Sequence, residues 1–143
     1  MAIRALHYGY YCGQDGLPKD HVKARAWATR GAALHDPKLM RDYAELLFNK
    51  VGGEKNESLA MVYFTRAAEA GCVRAMWNLA RALNDMDARS QAVYWLKKGA
   101  ASLESAIDAK DCKEKLRSWG VALPEDEASE GELPDIRDDE DEL

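Results

Sequence analysis

The sequence predicts an all-α fold in which helix hairpins repeat along the chain. One observation is a pattern of small residues around an aromatic residue, which recurs at offsets of 36 and 32 residues. Its three copies are Ala24, Trp27, Gly31 and Ala32, then Ala60, Tyr63, Ala67 and Ala68, then Ala92, Trp95, Gly99 and Ala100. The other is that no segment alternates apolar and polar residues over a strand's length. Self-similarity at such a period is typical of stacked repeat arrays.

The first repeat, residues 3–36, predicts helices near Ile3–Cys12 and His21–Leu34. Asp20 stands before the second helix and suits an N-cap, because its side chain can accept hydrogen bonds from the first free N–H groups. The sequence His35-Asp36-Pro37 ends the repeat. A residue before proline is disfavoured in a helix, whereas proline itself suits the first turn of the next one.

Two further repeats, residues 37–72 and 73–103, follow the same plan. Their predicted helices run near Lys38–Asn49, Ser58–Ala70, Val73–Leu83 and Ala88–Ala101. The loop inside the third repeat is shorter than the loop inside the second, which explains the shorter second offset. Residues 104–119 predict one more helix, with an apolar side that would cover the end of the array and a polar side toward water. Residues 1–119 are therefore expected to form one domain.

Composition sets limits on the class of protein. The chain has 143 residues, of which 47% are hydrophobic and 31% charged, as in an ordinary globular protein. No stretch approaches the length of an apolar membrane span, and the N-terminus has no apolar signal region. Three cysteines, Cys12, Cys72 and Cys112, are widely spaced and form no CxxC pair, so they indicate reduced thiols. We expect a cytoplasmic protein with no membrane contact.

Charge divides the chain into two unequal parts. Residues 1–123 carry a net charge of +5, while residues 124–143 carry −10, with Arg137 as their one basic residue. Residues 120–143 are expected to be a disordered acidic tail, because so few apolar residues cannot offset the entropy of ordering. The candidate tail residues are Leu133, Ile136, Arg137, Asp138 and Asp139.

Three roles for the acidic tail stay open at this point. It can be a solvated extension that keeps the protein soluble. It can bind through Leu133 and Ile136 to a basic groove of its own chain or of a second copy, which would be self-association through tail and groove. It can also engage a basic surface of another protein.

The first repeat resembles a known family in the segment Gly16-Leu17-Pro18-Lys19-Asp20, followed by Ala24, Trp27 and Gly31-Ala32. The second repeat ends in Arg66-Ala67-Ala68-Glu69-Ala70-Gly71. Together these motifs resemble the Sel1-like repeat, and the resemblance covers about residues 5–107. It implies a short right-handed α-solenoid that acts as an adaptor or scaffold for other proteins. In such arrays the first helix of each hairpin lines a concave groove.

If the resemblance holds, the groove residues follow from the register of the first helices. Gly9, Ala44 and Ala80 are equivalent small positions, and residues at i, i+4 and i+7 share a helix face. The candidate binding residues are Tyr10, Lys38, Arg41, Glu45, Phe48, Arg74, Trp77, Arg81 and Asn84. Aromatic residues and arginine often anchor protein interfaces. The alternative is that Phe48 and Trp77 belong to the core and the cations only solubilise the surface.

Catalytic and cofactor signatures are missing from the sequence. There is no Gly-rich phosphate loop after a strand, no HExxH and no G-x-S-x-G. His7, His21 and His35 fall on different elements, so a metal site is not expected. The isoelectric point near 5.2 disfavours direct binding to nucleic acid. We therefore expect that the protein is not an enzyme and holds no cofactor or metal. We expect its binding partner to be another protein. The alternative function is a small inhibitor whose acidic tail masks a basic surface of its target.

Overall fold

The computed structural model describes residues 2–125, which form seven α-helices and, within that range, no strand. The helices are α1 Ile3–Cys12, α2 His21–Ala33, α3 Pro37–Phe48, α4 Glu57–Glu69, α5 Val73–Asp85, α6 Arg89–Ala100 and α7 Ala106–Ser118. The expectations for the acidic tail, including those for Leu133, Ile136, Arg137, Asp138 and Asp139, lie outside the described residues.

Each helix packs mainly against its neighbours in the sequence. The pairs α1 with α2, α3 with α4, and α5 with α6 form hairpins, and α2 with α3 and α4 with α5 join one hairpin to the next. The last helix, α7, packs against both α6 and α5. This arrangement confirms the prediction of an all-α solenoid of helix hairpins with a helix at its C-terminal end.

Short polar side chains fix where several helices begin. Asp20 accepts hydrogen bonds from the N–H groups of Val22 and Lys23 at 3.0 and 3.1 Å. Asn56 caps α4 in the same way, through the N–H of Leu59 at 3.0 Å. Ser105 caps α7, which therefore begins at Ala106 rather than at the predicted residue 104.

The small residues of the repeat pattern lie where helices cross. Ala24, Ala60 and Ala92 are all completely buried. Gly31 lets α2 approach α3 so closely that an added Cβ would stand 2.1 Å from Leu39 Cδ1 and 2.8 Å from Leu39 Cβ. Helix backbones can approach this closely only because these positions carry a methyl group or a hydrogen.

The aromatic residues of the repeat pattern are not completely buried, unlike the first alanine of each copy. Trp27, Tyr63 and Trp95 are each only partly buried. A cation three residues later lies over each ring: Arg30 at 5.0 Å, Arg66 at 5.4 Å and Lys98 at 5.2 Å from the ring centroid. One face of each ring therefore packs on the array while the other is covered by a flexible charged side chain.

Replacing Gly31 with alanine is expected to destabilise the protein, although alanine is the better helix former by about 1 kcal/mol. The added methyl group meets the Cβ of Leu39, which cannot move without shifting α3, and overpacking of this kind costs roughly 1–3 kcal/mol. The measurement is the free energy of unfolding in urea. Gly9→Ala is the matched control, because its added methyl group meets chiefly the flexible end of Leu17. Equal effects of the two substitutions would show that the Gly31 crossing is not tightly packed.

Candidate functional site

Polar side chains join each odd-numbered helix to the next odd-numbered helix. Arg4 of α1 donates to Asp36 at the start of α3, with both bonds 2.7 Å long. Asn78 of α5 donates to Glu45 of α3. The surface that these helices share is called the odd-helix face below. It carries Arg4, Tyr8, Lys38, Arg41, Glu45, Arg74, Trp77, Asn78 and Arg81.

A buried polar cluster joins α1 to α3 at one end of this face. Asp42, which is 6% exposed, accepts hydrogen bonds from the hydroxyl of Tyr8 and from Arg41 Nη2. His7 is also buried, and its Nδ1 lies 2.8 Å from the carbonyl oxygen of Ala24. Burial raises the pKa of the Tyr8 hydroxyl above its ordinary value, and the hydrogen bond to Asp42 raises it further. The cluster fixes the position of Arg41.

Three predicted cations, Lys38, Arg41 and Arg74, border one cavity of about 380 Å³ together with Arg4. Arg74 is held by the final helix, because it donates to Asp108 at 2.6 Å and to Asp111 at 2.5 Å. Burial opposes the charge of the Arg41 guanidinium, but the nearby carboxylates outweigh it and raise its pKa. The side chain of Lys38 is exposed and lies over the ring of Tyr8 at 5.7 Å.

Trp77 lies between cations on the same face. The guanidinium groups of Arg74 and Arg81 stand 5.1 and 4.9 Å from its ring centroid, and Lys115 of α7 stands 5.6 Å away. Arg81 is exposed.

A small cavity of about 40 Å³ lies between α3 and α5, lined in part by Glu45, Phe48, Asn78 and Arg81. Asn78 is only 6% exposed, and its Oδ1 has no hydrogen-bond partner among the described residues. A buried acceptor without a partner costs free energy, so this atom can gain from a donor that enters the cavity.

The three remaining candidate residues, Tyr10, Asn84 and Phe48, make contacts partly or wholly outside the odd-helix face. Tyr10 lies beneath Lys23 of α2, at 5.4 Å. Asn84 accepts a hydrogen bond of 2.8 Å from Arg89 beside the loop between α5 and α6. Phe48 borders the small cavity but also packs edge-on against Phe64 of α4.

Sequence reasoning missed four residues of the odd-helix region: Arg4, Tyr8, Asp42 and Asn78. Arg4 and Tyr8 are one helical turn apart, and that spacing is the signal that could have found them. Asp42 and Asn78 gave no such signal, because their roles depend on partners more than 30 residues away in the chain.

The part of the chain that the structure describes contains neither a metal-binding cluster nor a membrane-spanning helix. Within residues 2–125 there is no group of three His, Cys, Asp or Glu side chains placed to hold a metal ion. Over the same range no helix combines the length and the apolar character needed to cross a membrane.

The Arg4–Asp36 pair predicts a pH dependence of stability. The hydrogen bond from Arg4 holds the pKa of Asp36 below its ordinary value of 3.8. The stabilisation is complete above the pKa of the unfolded chain and is lost as the pH falls through the lower pKa of the folded state. Asp36→Asn should therefore lose less free energy of unfolding than the wild type between pH 7 and pH 3. Urea titrations at both pH values check this, with the exposed loop substitution Asp15→Asn as control. Parallel losses in all three proteins would contradict the assignment.

Arg74 is expected to hold α7 against α5. Arg74→Met keeps most of the aliphatic stem but leaves Asp108 and Asp111 without their cation, at a cost of roughly 1–3 kcal/mol. A double-mutant cycle with Asp108→Asn, read by urea unfolding, measures the coupling between the two residues. If the two single effects simply add, the ion pair does not stabilise the fold.

Comparison with known proteins places these features in a family. The Sel1 repeat model matches residues 3–36, 37–72 and 73–102, which together are more than half of the chain. The chain is similar to a Sel1 repeat protein from Oxalobacter formigenes, with a TM-score of 0.63 and 21% identity. That match covers 69% of this chain and 78% of the other.

The chain is also similar in fold to c5321, a protective antigen present in uropathogenic Escherichia coli strains that displays an SLR fold. The TM-score is 0.64 at 18% identity, over 82% of this chain and 30% of the antigen. Three consecutive matches to the repeat model, on helix hairpins that stack as described, show that this chain belongs to the Sel1 repeat family.

Proposed function

We propose that this protein is an adaptor or scaffold that holds a segment of a partner protein on its odd-helix face. Sel1 repeats generally mediate contacts between proteins, and scaffolds of this family are typically non-catalytic. The observation that carries the proposal is Trp77 with Arg74 and the exposed Arg81 over its ring, since these two arginines each border one of the two cavities described above. Tryptophan and arginine are the residue types most often found as interface anchors.

The cations of this face divide into two groups. Arg4, Arg41 and Arg74 are each bound to carboxylates of this chain, so their main effect is to hold the odd helices together. Lys38 and Arg81 have no carboxylate partner among the described residues, and their charged groups lie over aromatic rings. We expect these two cations to contact the partner directly.

The buried side chain of Asn78 favours a partner segment that binds in an extended conformation. Asn78 lines the cavity of about 40 Å³, which is large enough for a water molecule, and its Oδ1 has no hydrogen-bond partner among the described residues. A partner main chain that donates here would replace the missing hydrogen bond, which favours the bound state.

We also place the protein in a reducing compartment such as the cytoplasm. Cys12, Cys72 and Cys112 are all free thiols. Burial raises the pKa of the Cys112 thiol to about 11, so little reactive thiolate forms at that position near neutral pH.

The test is capture of partners from a lysate of the native host with the full chain as bait. The double variant Lys38→Glu and Arg81→Glu should weaken capture by about tenfold or more, because each reversal both removes an attraction and adds a repulsion. The matched control is Arg30→Glu with Arg66→Glu, which reverses two exposed cations that also lie over aromatic rings but on even helices.

Equal capture by both double variants would show that the odd-helix face is not the binding surface. A further full-length bait, with the acidic residues from 126 onward changed to amides, separates the adaptor from the inhibitor. An inhibitor that acts through its acidic residues loses its target in this bait, whereas an adaptor keeps it.

A further inference from the structure

The described part of the chain ends against a basic surface of α7. Leu123 is 1% exposed and belongs to the main apolar cluster. Two residues later, Glu125 Oε2 lies 3.2 Å from Lys113 Nζ and 3.8 Å from Arg117 Nη2. An acidic residue at the very start of the acidic segment is therefore already bound to the outside of the last helix.

Further cations continue this surface away from Glu125. Lys110, Lys113 and Arg117 follow the spacing i, i+3 and i+7, so they share one side of α7. Lys97 of α6 stands across from them and, with Lys113 and Leu123, borders a cavity of about 210 Å³. Within residues 2–125, Lys97 and Lys110 have no carboxylate at ion-pair distance.

Two large apolar side chains lie uncovered in α7 and in the segment that leads into it. Leu103 is 99% exposed and Ile107 is 74% exposed, the highest values among the large apolar residues described. Ile107 comes one helical turn before Lys110. Exposed apolar groups gain free energy when another apolar group covers them. The α6–α7 surface is defined here as Lys97, Leu103, Ile107, Lys110, Lys113 and Arg117.

We propose that residues 126–143 of this chain bind the α6–α7 surface. In this arrangement acidic side chains of the segment pair with Lys97 and Lys110, and Leu133 and Ile136 cover Ile107 and Leu103. The segment contains ten Asp and Glu residues against Arg137 alone, so its charge complements the surface. It also holds few large apolar residues, and Leu133 and Ile136 are two of them.

The length of the segment suits this path. Lys113 and Ile107 are six residues apart on α7, or about 9 Å along the helix axis. The eight residues from Glu125 to Leu133 can extend over about 26 Å, so they can reach Ile107 without being stretched. Because Glu125 already holds the start of the segment beside Lys113, its effective concentration at this surface is high.

The odd-helix face is a weaker site for the same segment. Arg4, Arg41 and Arg74 are already bound to carboxylates of the folded chain, and only Lys38 and Arg81 are open there. Binding at the α6–α7 surface would leave the odd-helix face free for a partner. The proposal is therefore independent of the proposed function.

Zero-length carbodiimide cross-linking of the full chain tests the proposal, because it forms an amide bond only where a carboxylate touches a lysine. Peptide mapping of the monomer band should find acidic residues from 126 to 143 joined to Lys97, Lys110 and Lys113. The Lys113–Glu125 cross-link serves as the internal control for the reaction.

Two full-length variants test whether the cations of the α6–α7 surface bind the segment. Lys97→Glu with Lys110→Glu should reduce cross-linking between Lys113 and residues 126–143 by roughly fivefold, since two attractive contacts become repulsive. Lys38→Glu with Arg81→Glu, the same charge change on the odd-helix face, should leave that yield unchanged. Cross-links to Lys38 or Lys115, cross-links found only between two copies, or no cross-link beyond Glu125 would each overturn the proposal.

Discussion

The close approach of neighbouring helices is the constraint on which the rest of the structure depends. Ala24, Ala60 and Ala92 are fully buried, and Gly31 and Gly99 leave no room for a side chain beside the next helix. A larger residue at these positions would separate the helices and open voids, and close-packed interiors tolerate voids poorly. The repeat therefore returns to small residues at every crossing, and the larger side chains pack between these points.

Once the helices are this close, the odd helices can be joined by side chains alone. No backbone ladder connects one α-helix to another, so the order of the odd-helix face comes from pairs such as Tyr8–Asp42, Glu45–Asn78 and Arg74–Asp108. Each pair satisfies polar groups that are partly buried, and leaving one partner alone would cost more than the pair gains. This arrangement also decides which cations remain open to another molecule.

The fold could be predicted from the sequence because the crossings require small residues at a fixed period. Ala24, Ala60 and Ala92 make that period visible without any knowledge of their contacts. The Asp20 cap could be predicted equally well, since its side chain acts on N–H groups two and three residues away.

The candidate site was harder to predict, because it depends on the rotation of one helix against another. The register of small residues predicts Tyr10, yet the α1 side chains with polar contacts at α3 are Arg4, His7 and Tyr8. Arg41 and Arg74 border the same cavity, but the sequence does not reveal that carboxylates of the folded chain already bind them. Such pairings join residues over 30 positions apart and follow only from the packed structure.

Because most contacts join helices that are neighbours in the chain, the array does not have to unfold as one cooperative unit. In an array of this kind stability is approximately a sum of local terms, so the two ends can open while the middle stays folded. The helices are unequal in this respect: α1 buries only His7 and Gly9, whereas α5 in the middle buries eight residues. Opening of α1 would release Tyr8 and Arg4 from α3 while leaving Trp77, Asn78 and Arg81 in place. The half of the odd-helix face that carries Trp77 therefore keeps its shape when α1 opens.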